Sequence, residues 1–554
     1  MRLALLAAAP FSLGLVQATV NEECADLIME GRVFTNDPAR PWAEAVAVRG
    51  ERIALVGSRA EVERLRGKET RVIAGGERAV VPGFNDAHCH FTIGFGLDQD
   101  VDLAGAGSLD EILARVKAYA EAHPEDELID GGYWDLADLP GHAFPSAALL
   151  DEVVPDRPVL LWSDGPHAVW VNTEAMEKAK IDGTTPVPPA TVFLRDAEGE
   201  PSGVFLGRGL FGLFRFVPLP DLGAMRARIR AGLGEARRLG VTSVQDSVSP
   251  FLLPYLAELC DARELTLRVH AWGTLAAGPF GGGADEHLAL AKTHGREHWL
   301  TFGTLKGGVD GMPGVRTAAL LAPYADDPAT SGLLSADPAR LAASVRAANE
   351  KGLRVALHAT GDRGVRTALE AFVSGGKRGL QNRIEHAFLV SPDDIERLGK
   401  SGVVLSVQPG FVPLDLAKER FYERRFGPER VAYAMPLRAL LDAGAVLAFG
   451  TDFSLTPLDP LVGIYGAVAR RTLAGEPAGG WIPAQRLTVE EAVRAYTLGS
   501  AMAEGAEREK GTLAPGMLAD LVLLSRDVFS IDPAELLRVQ VECTVVGGRV
   551  VYPR

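Results

Sequence analysis

Six residues along this chain carry side chains that could bind a metal ion and move protons: His88, His90, Lys306, His358, His386 and Asp452. His88 and His90 flank Cys89. In an extended strand side chains alternate between faces, so positions i and i+2 point the same way. Two imidazoles on one face can share one metal ion, while Cys89 turns into the packing layer behind them. His358 and His386 close the short runs Leu353–His358 and Asn382–His386, Lys306 lies in Leu300–Gly307, and Asp452 ends Val446–Asp452. Taken singly, each has a plain structural explanation: a hydrogen-bonded histidine, a strand-end lysine reaching for water, an aspartate capping a loop. Their common placement, a polar residue at or near the end of an apolar strand, points instead to one shared site. His123, His142, His270, His287, His294 and His298 have no such placement.

The elements that must position these residues follow a regular pattern. Beside the four runs just named lie Val241–Ser247, Leu265–Gly273 and Val403–Gln408, and Ala79–His90 makes eight strand candidates. Helical patterns such as Pro338–Lys351 and Pro392–Lys400 alternate with them. Eight strands with intervening helices form a (β/α)8 barrel, whose C-terminal strand ends share one mouth. Residues 103–222 do not follow the repeat and are expected to be an insertion after the first strand, lying over that mouth. Both chain ends alternate like half-buried strands, so 22–80 and 508–554 are expected to combine in a small β-sandwich domain beside a barrel of 81–507. Gly547-Gly548 marks a hairpin turn there.

Length and charge bound the function. At 554 residues the chain exceeds one compact core. A net charge of −15 argues against nucleic acid or an anionic membrane surface as partner. Arg2, the apolar run Leu3 to Val16 and the small residues near Ala18 have the form of a signal peptide over residues 1–18, so export to a periplasm or the exterior is expected. No later run is long enough to span a bilayer. Four cysteines are too few for a disulfide framework, though Cys24 and Cys543, in segments expected to pair, could form one bridge.

The run Val81-Pro82-Gly83-Phe84-Asn85-Asp86-Ala87-His88-Cys89-His90 resembles the first-strand signature of the amidohydrolase superfamily. Gly165-Pro166-His167-Ala168-Val169-Trp170-Val171-Asn172, Gly240 to Asp246, His358-Ala359-Thr360-Gly361-Asp362-Arg363, Arg383-Ile384-Glu385-His386-Ala387, Phe449-Gly450-Thr451-Asp452 and the tail from Lys510 to Val522 are similar to its amidohydrolase-3 branch, the YtcJ-like and N-substituted formamide deformylase-like group. The resemblance implies a metallo-dependent hydrolase barrel with two divalent metal ions, zinc being the first expectation. It assigns His88 and His90 to one ion, His358 and His386 to the other, a carboxylated Lys306 as the bridge between them, and Asp452 as ligand and proton shuttle. Two such ions would make hydroxide from a bridging water near neutral pH, and Asp452 would carry its proton to the leaving amine. The expected reaction is hydrolysis of a C–N bond in a small amide, N-formyl or N-acyl substrate, in a chain expected to dimerise. Deamination, or hydrolysis of a cyclic amide or ester, is the alternative on the same scaffold. A deaminase, however, would carry an acid shortly after His358, where Ala359-Thr360-Gly361 stands. A non-catalytic exported binding or regulatory protein would be expected to lack a ligand, and none is missing. His167, Asn172, Asp310, Arg316 and Gln408 are candidate substrate contacts, with Tyr324 a further pocket residue. Gly207 and Thr451-Asp452-Phe453 depart from the family pattern near the expected pocket.

Overall fold

The computed structural model describes residues 24–553 apart from 97–100, 164, 166, 189–190, 208–213, 215, 218–220, 276–281, 378 and 419. The signal-peptide segment therefore lies outside the described residues.

Eight parallel strands pair in chain order: β1 (Phe84–Cys89), β2 (Val241–Asp246), β3 (Arg268–Thr274), β4 (Leu300–Gly308), β5 (Arg354–Ala359), β6 (Arg383–His386), β7 (Val404–Val407) and β8 (Val446–Phe449). The chain beyond β8 meets β1, where the Asp452 amide donates to the His88 carbonyl at 2.7 Å. The sheet thus curls into a TIM-type barrel. Its outward residues, among them Leu305, Val355, Ile384 and Leu405, pack against Leu341, Val345, Leu369 and Phe372 of the helices Pro338–Glu350 and Asp362–Gly375. That burial on both faces is why the outward positions of these strands are so rich in Val, Ile and Leu.

The run Ala79–His90 proves to be two strands. Arg66–Pro82 belongs to a different sheet, and β1 begins at Phe84. Gly83 makes the transfer, since a Cβ there would come within 2.2 Å of the Thr242 hydroxyl oxygen on β2.

The other sheet has seven strands in the order Arg549–Tyr552, Val541–Val546, Leu521–Leu524, Arg66–Pro82, Ala25–Phe34, Trp42–Arg49 and Arg52–Gly57. Both chain ends contribute, and hydrogen bonding runs through all seven. Leu27, Met29, Val46, Leu521, Leu523 and Val545 share its core. Gly547 and Gly548, with φ of 53° and 70°, form the final hairpin turn. Arg268 of β3 ties the sheet to the barrel through a buried two-bond pair with Asp520, at 2.7 and 3.0 Å. Cys24 and Cys543 are both free: Cys24 is exposed beside Gly67, whereas Cys543 is buried opposite Leu523. No bridge joins them.

After β1 the chain builds a six-stranded sheet ordered Thr191–Arg195, Pro201–Gly207, Ala168–Val171, Val159–Ser163, Ile129–Trp134 and Val101–Asp102. Helix Leu109–Ala122 covers it through Ile112 and Val116. This core is continuous with loops at the C-terminal ends of the barrel strands, where Trp134 joins Met312, Phe388 and Phe411. The chain returns to the barrel with helix Leu222–Arg238, whose buried Met225, Ile229 and Leu233 pack on Cys89 and Val241. Among the described residues no helix is long and apolar enough to cross a membrane.

Candidate metal centre

The site grows out of β1. Cys89 joins the layer between barrel and helices, and His88 faces inward with no exposure. His88 Nδ1 lies 2.6 Å from Glu385 Oε2. A carboxylate accepts, so Nδ1 carries the proton and Nε2 keeps its lone pair. The same argument fixes two more rings. His386 Nδ1 lies 2.8 Å from Gln408 Oε1, leaving Nε2 as the lone-pair nitrogen. His358 Nε2 lies 3.0 Å from the Gly311 carbonyl, leaving Nδ1. His88 and His386 have ring centres 4.7 Å apart, His358 and His386 4.4 Å, and His88 and His90 5.5 Å. Just past His90, Asp246 accepts from the Thr92 amide and hydroxyl at 3.0 and 2.7 Å, which pins the turn that carries His90.

Asp452 lies beyond the end of β8 with φ of +56°. A Cβ on Gly450 would sit 2.4 Å from the His88 nitrogen, so glycine there lets this loop close onto β1. Asp452 Oδ1 is 3.4 Å from both His88 Nε2 and His90 Nε2, is buried, and has no hydrogen-bond partner. Donor atoms of His88, His90 and Asp452 all lie within 4.8 Å of one another. Two imidazoles and a carboxylate are a donor set for a divalent first-row cation, and an unmet buried carboxylate oxygen is costly without one. The residues present fit such an ion.

Electrostatics hold His88, His386 and Asp452 in their ligating forms. Burial, then Lys306, push His88 down to about 4, and burial with His88 holds His386 well below the usual imidazole range. Burial would raise the Asp452 carboxyl, but His88, His90 and His386 outweigh it and hold it well below the usual carboxylate range. Glu385 behaves likewise: Arg383 and His88 overcome its burial. Neutral imidazoles beside an ionised carboxylate are what a metal requires. Asp86 is pushed up to about 7 by burial, although it accepts from the amides of Thr451 and His88. The Thr451 hydroxyl also bonds Asp86, so the threonine that departs from the family pattern supplies a hydroxyl the fold uses.

Lys306 joins the cluster, with Nζ 3.2 Å from His88 Nε2. His167 also reaches it from the insertion, its ring centre 4.9 Å from that of His358. Its carbonyl accepts from the amide of Gly207, so that second departure stands beside it. The remaining candidates serve the scaffold. Asn172 caps helix Thr173–Ala179 and spends its amide on Val159, Ala175, Val154 and Arg157 backbone groups. Asp310 accepts from the amides of Thr360, Gly361 and Ala319, binding the loops after β4 and β5 together. Arg316 is paired with Asp326, and Tyr324 donates to the Ala318 carbonyl. Gln408 orients His386. Three contributors escaped the sequence reading: Glu385, Arg383 and Trp272. Arg383 and Glu385 form a bidentate pair at 2.5 and 3.0 Å, and Trp272 stands beside His88 with ring centres 5.2 Å apart. The signal for the pair was present, because two charges at i and i+2 in an apolar strand must share the inward face.

Parallel barrel strands with this donor set at their C-terminal ends define a metal-dependent hydrolase. Residues 71–552 match the model of the amidohydrolase family, and the chain belongs to that family, as a hydrolase acting on carbon–nitrogen bonds. It is 32% identical over 540 residues to the putative amidohydrolase YtcJ of Bacillus subtilis (strain 168), covering 95% of this chain and 98% of that one. It is 26% identical to the N-substituted formamide deformylase of Arthrobacter pascens, with the same two coverages. Among solved structures, an uncharacterised metal-dependent hydrolase from Pyrococcus horikoshii OT3 superposes with a TM-score of 0.68 at 27% identity, over 92% of this chain and 99% of that chain.

Proposed function

We propose that this chain hydrolyses the amide bond of a small N-formyl or N-acyl amine, using two zinc ions bridged by a carboxylated Lys306. The observation that carries the reading is the unpartnered, buried Oδ1 of Asp452 facing His88 and His90. Its relative from Arthrobacter pascens, named for deformylation of N-substituted formamides, supports the choice of bond. When bound, the ions would acidify a water and polarise the substrate carbonyl. His88 and His90 would hold one ion through lone pairs that Glu385 and the strand geometry keep available, and His358 and His386 the other. Asp452, ionised throughout the neutral range, would take the proton of the attacking water on Oδ1 and deliver it to the departing nitrogen. Phe388, stacked beside His386 with ring centres 5.9 Å apart, would offer apolar surface to the substrate's carbon skeleton.

Metal analysis and a substrate panel test this together. Purified protein should hold close to two zinc ions per chain, and Lys306→Ala should lose at least one. N-formyl and N-acyl amines should be cleaved in preference to lactams, carbamates and esters. A folded protein that binds no divalent ion would sink the reading, and cleavage of esters alone would overturn the choice of bond.

A further inference from the structure

We propose that Asp310 is the positioning residue for His358, and through it for the second metal ion, in the part that Glu385 plays for His88. The inference rests on the reading that this chain holds two ions. Asp310 lies two residues beyond the end of β4, and Thr360 follows β5 directly. His358 Nε2 donates to the Gly311 carbonyl at 3.0 Å, and Asp310 Oδ1 stands 3.9 Å from the same nitrogen. The ring thus turns its N–H toward a carbonyl backed by a carboxylate, which leaves the Nδ1 lone pair for a cation.

The Asp310 side chain ties that carbonyl to the strand that carries His358. Its Oδ1 accepts from the Thr360 amide and its Oδ2 from the Gly361 and Ala319 amides, each at 2.9 Å. The Thr360 hydroxyl donates to the Gly311 carbonyl at 2.6 Å. The ring and the oxygen that orients it are therefore held in register by one carboxylate. The fit is close: a Cβ on Gly364 would come within 2.2 Å of Asp310 Oδ2, and one on Gly311 within 2.1 Å of the Thr317 hydroxyl oxygen.

Asp310 has no exposure, and its charge is met by backbone. Thr360 and Gly361 lead into helix Asp362–Gly375, whose N-cap, Gly361, brings no side-chain acceptor. Asp310 fills that place from another loop, and the helix end stabilises its negative charge. An asparagine there would set an NH2 against at least one backbone N–H and lose the charge behind His358. The other oriented rings depend on other oxygens, Glu385 for His88 and Gln408 for His386, so disturbing Asp310 should be felt at one ion.

Asp310→Asn keeps the shape and removes the charge. Zinc-loaded wild type and variant would be titrated with a chelator and the zinc retained per chain measured, with His358→Ala showing how a chain behaves that has lost the second ion. The variant should release one of its two ions at about 10- to 100-fold lower chelator strength and hold the other as the wild type does. Retention of both ions would overturn the proposal. So would loss of both in parallel, since a general loosening of the fold acts on the two alike. If Asp310→Asn does not fold, Gly364→Ala decides, because it keeps the carboxylate but displaces Oδ2. It should release the same ion more readily, and a titration equal to that of the wild type would overturn the assignment. A wild type that binds a single zinc ion would instead remove the two-ion reading beneath it.

Discussion

Which nitrogen of His88, His386 and His358 can bind a cation is set by one oxygen apiece, from Glu385, Gln408 and the Gly311 carbonyl. The strongest of these is Glu385, because it is ionised and anchored by Arg383. Glu385→Gln should therefore weaken zinc binding by about 10- to 100-fold, measured by competition with a chelator. An unchanged affinity would mean that His88 is oriented by packing alone. Asp452→Asn retains the shape of the carboxyl but not its basicity. Its kcat should fall by about 10²- to 10⁴-fold while the circular dichroism spectrum stays that of the wild type. Activity within a factor of a few would assign the proton to another group. Glu385 and Arg383 lie inside the motif that carries His386, yet only the histidine has a side chain that by type suggests a ligand, so the sequence names the ligands more readily than the groups that hold them.

At the scale of elements, alternation explains what was legible. His88 and His90 obey it, and the strand pattern placed them on one face. Glu385 and His386 are neighbours and should face opposite ways, yet both serve the site, because His386 and Ala387 adopt φ of 76° and 46° and turn the chain at the end of β6. Asp452 likewise depends on a positive φ beyond its strand. Such turns are invisible to periodicity, as was the break at Gly83 that divided one apparent strand between two sheets. Strand β3 shows a further limit: His270 seemed idle, but both its nitrogens are satisfied, by Thr301 and Thr304 at 2.9 Å each. Burial pushes it down to about 3. Folded His270 therefore stays neutral where the unfolded chain, with its ordinary value near 6.5, takes up a proton. The unfolded state binds more protons between those two values, and stability drains as pH falls through that window, by about 1.4 kcal/mol per unit once well below 6.5. His270→Gln should flatten the dependence by that slope in denaturant titrations of metal-free protein at pH 7, 6 and 5. Parallel curves would show that His270 titrates alike in both states.

Across the whole molecule, the barrel is held to the terminal sheet by the buried pair of Arg268 and Asp520, with Asp520 also accepting from the Gly547 amide. Asp520→Ala leaves an arginine buried without its counter-charge and should cost about 3–5 kcal/mol, read from the guanidinium midpoint. A loss under about 1 kcal/mol would mean that water reaches Arg268 once the carboxylate is gone. The alternating ends could be recognised in the sequence as belonging together. Their strand order could not, since pairing across such a separation leaves no local trace. That order has a temporal meaning. Strand Arg66–Pro82 is finished early in synthesis, but its neighbour Leu521–Leu524 is among the last segments made. At ordinary translation rates the delay is roughly 20 to 90 s. Throughout it, the nascent chain presents an apolar strand edge with no partner, leading straight into the histidines of β1. The strand edge left waiting for its partner is therefore the one that leads directly into the candidate metal site.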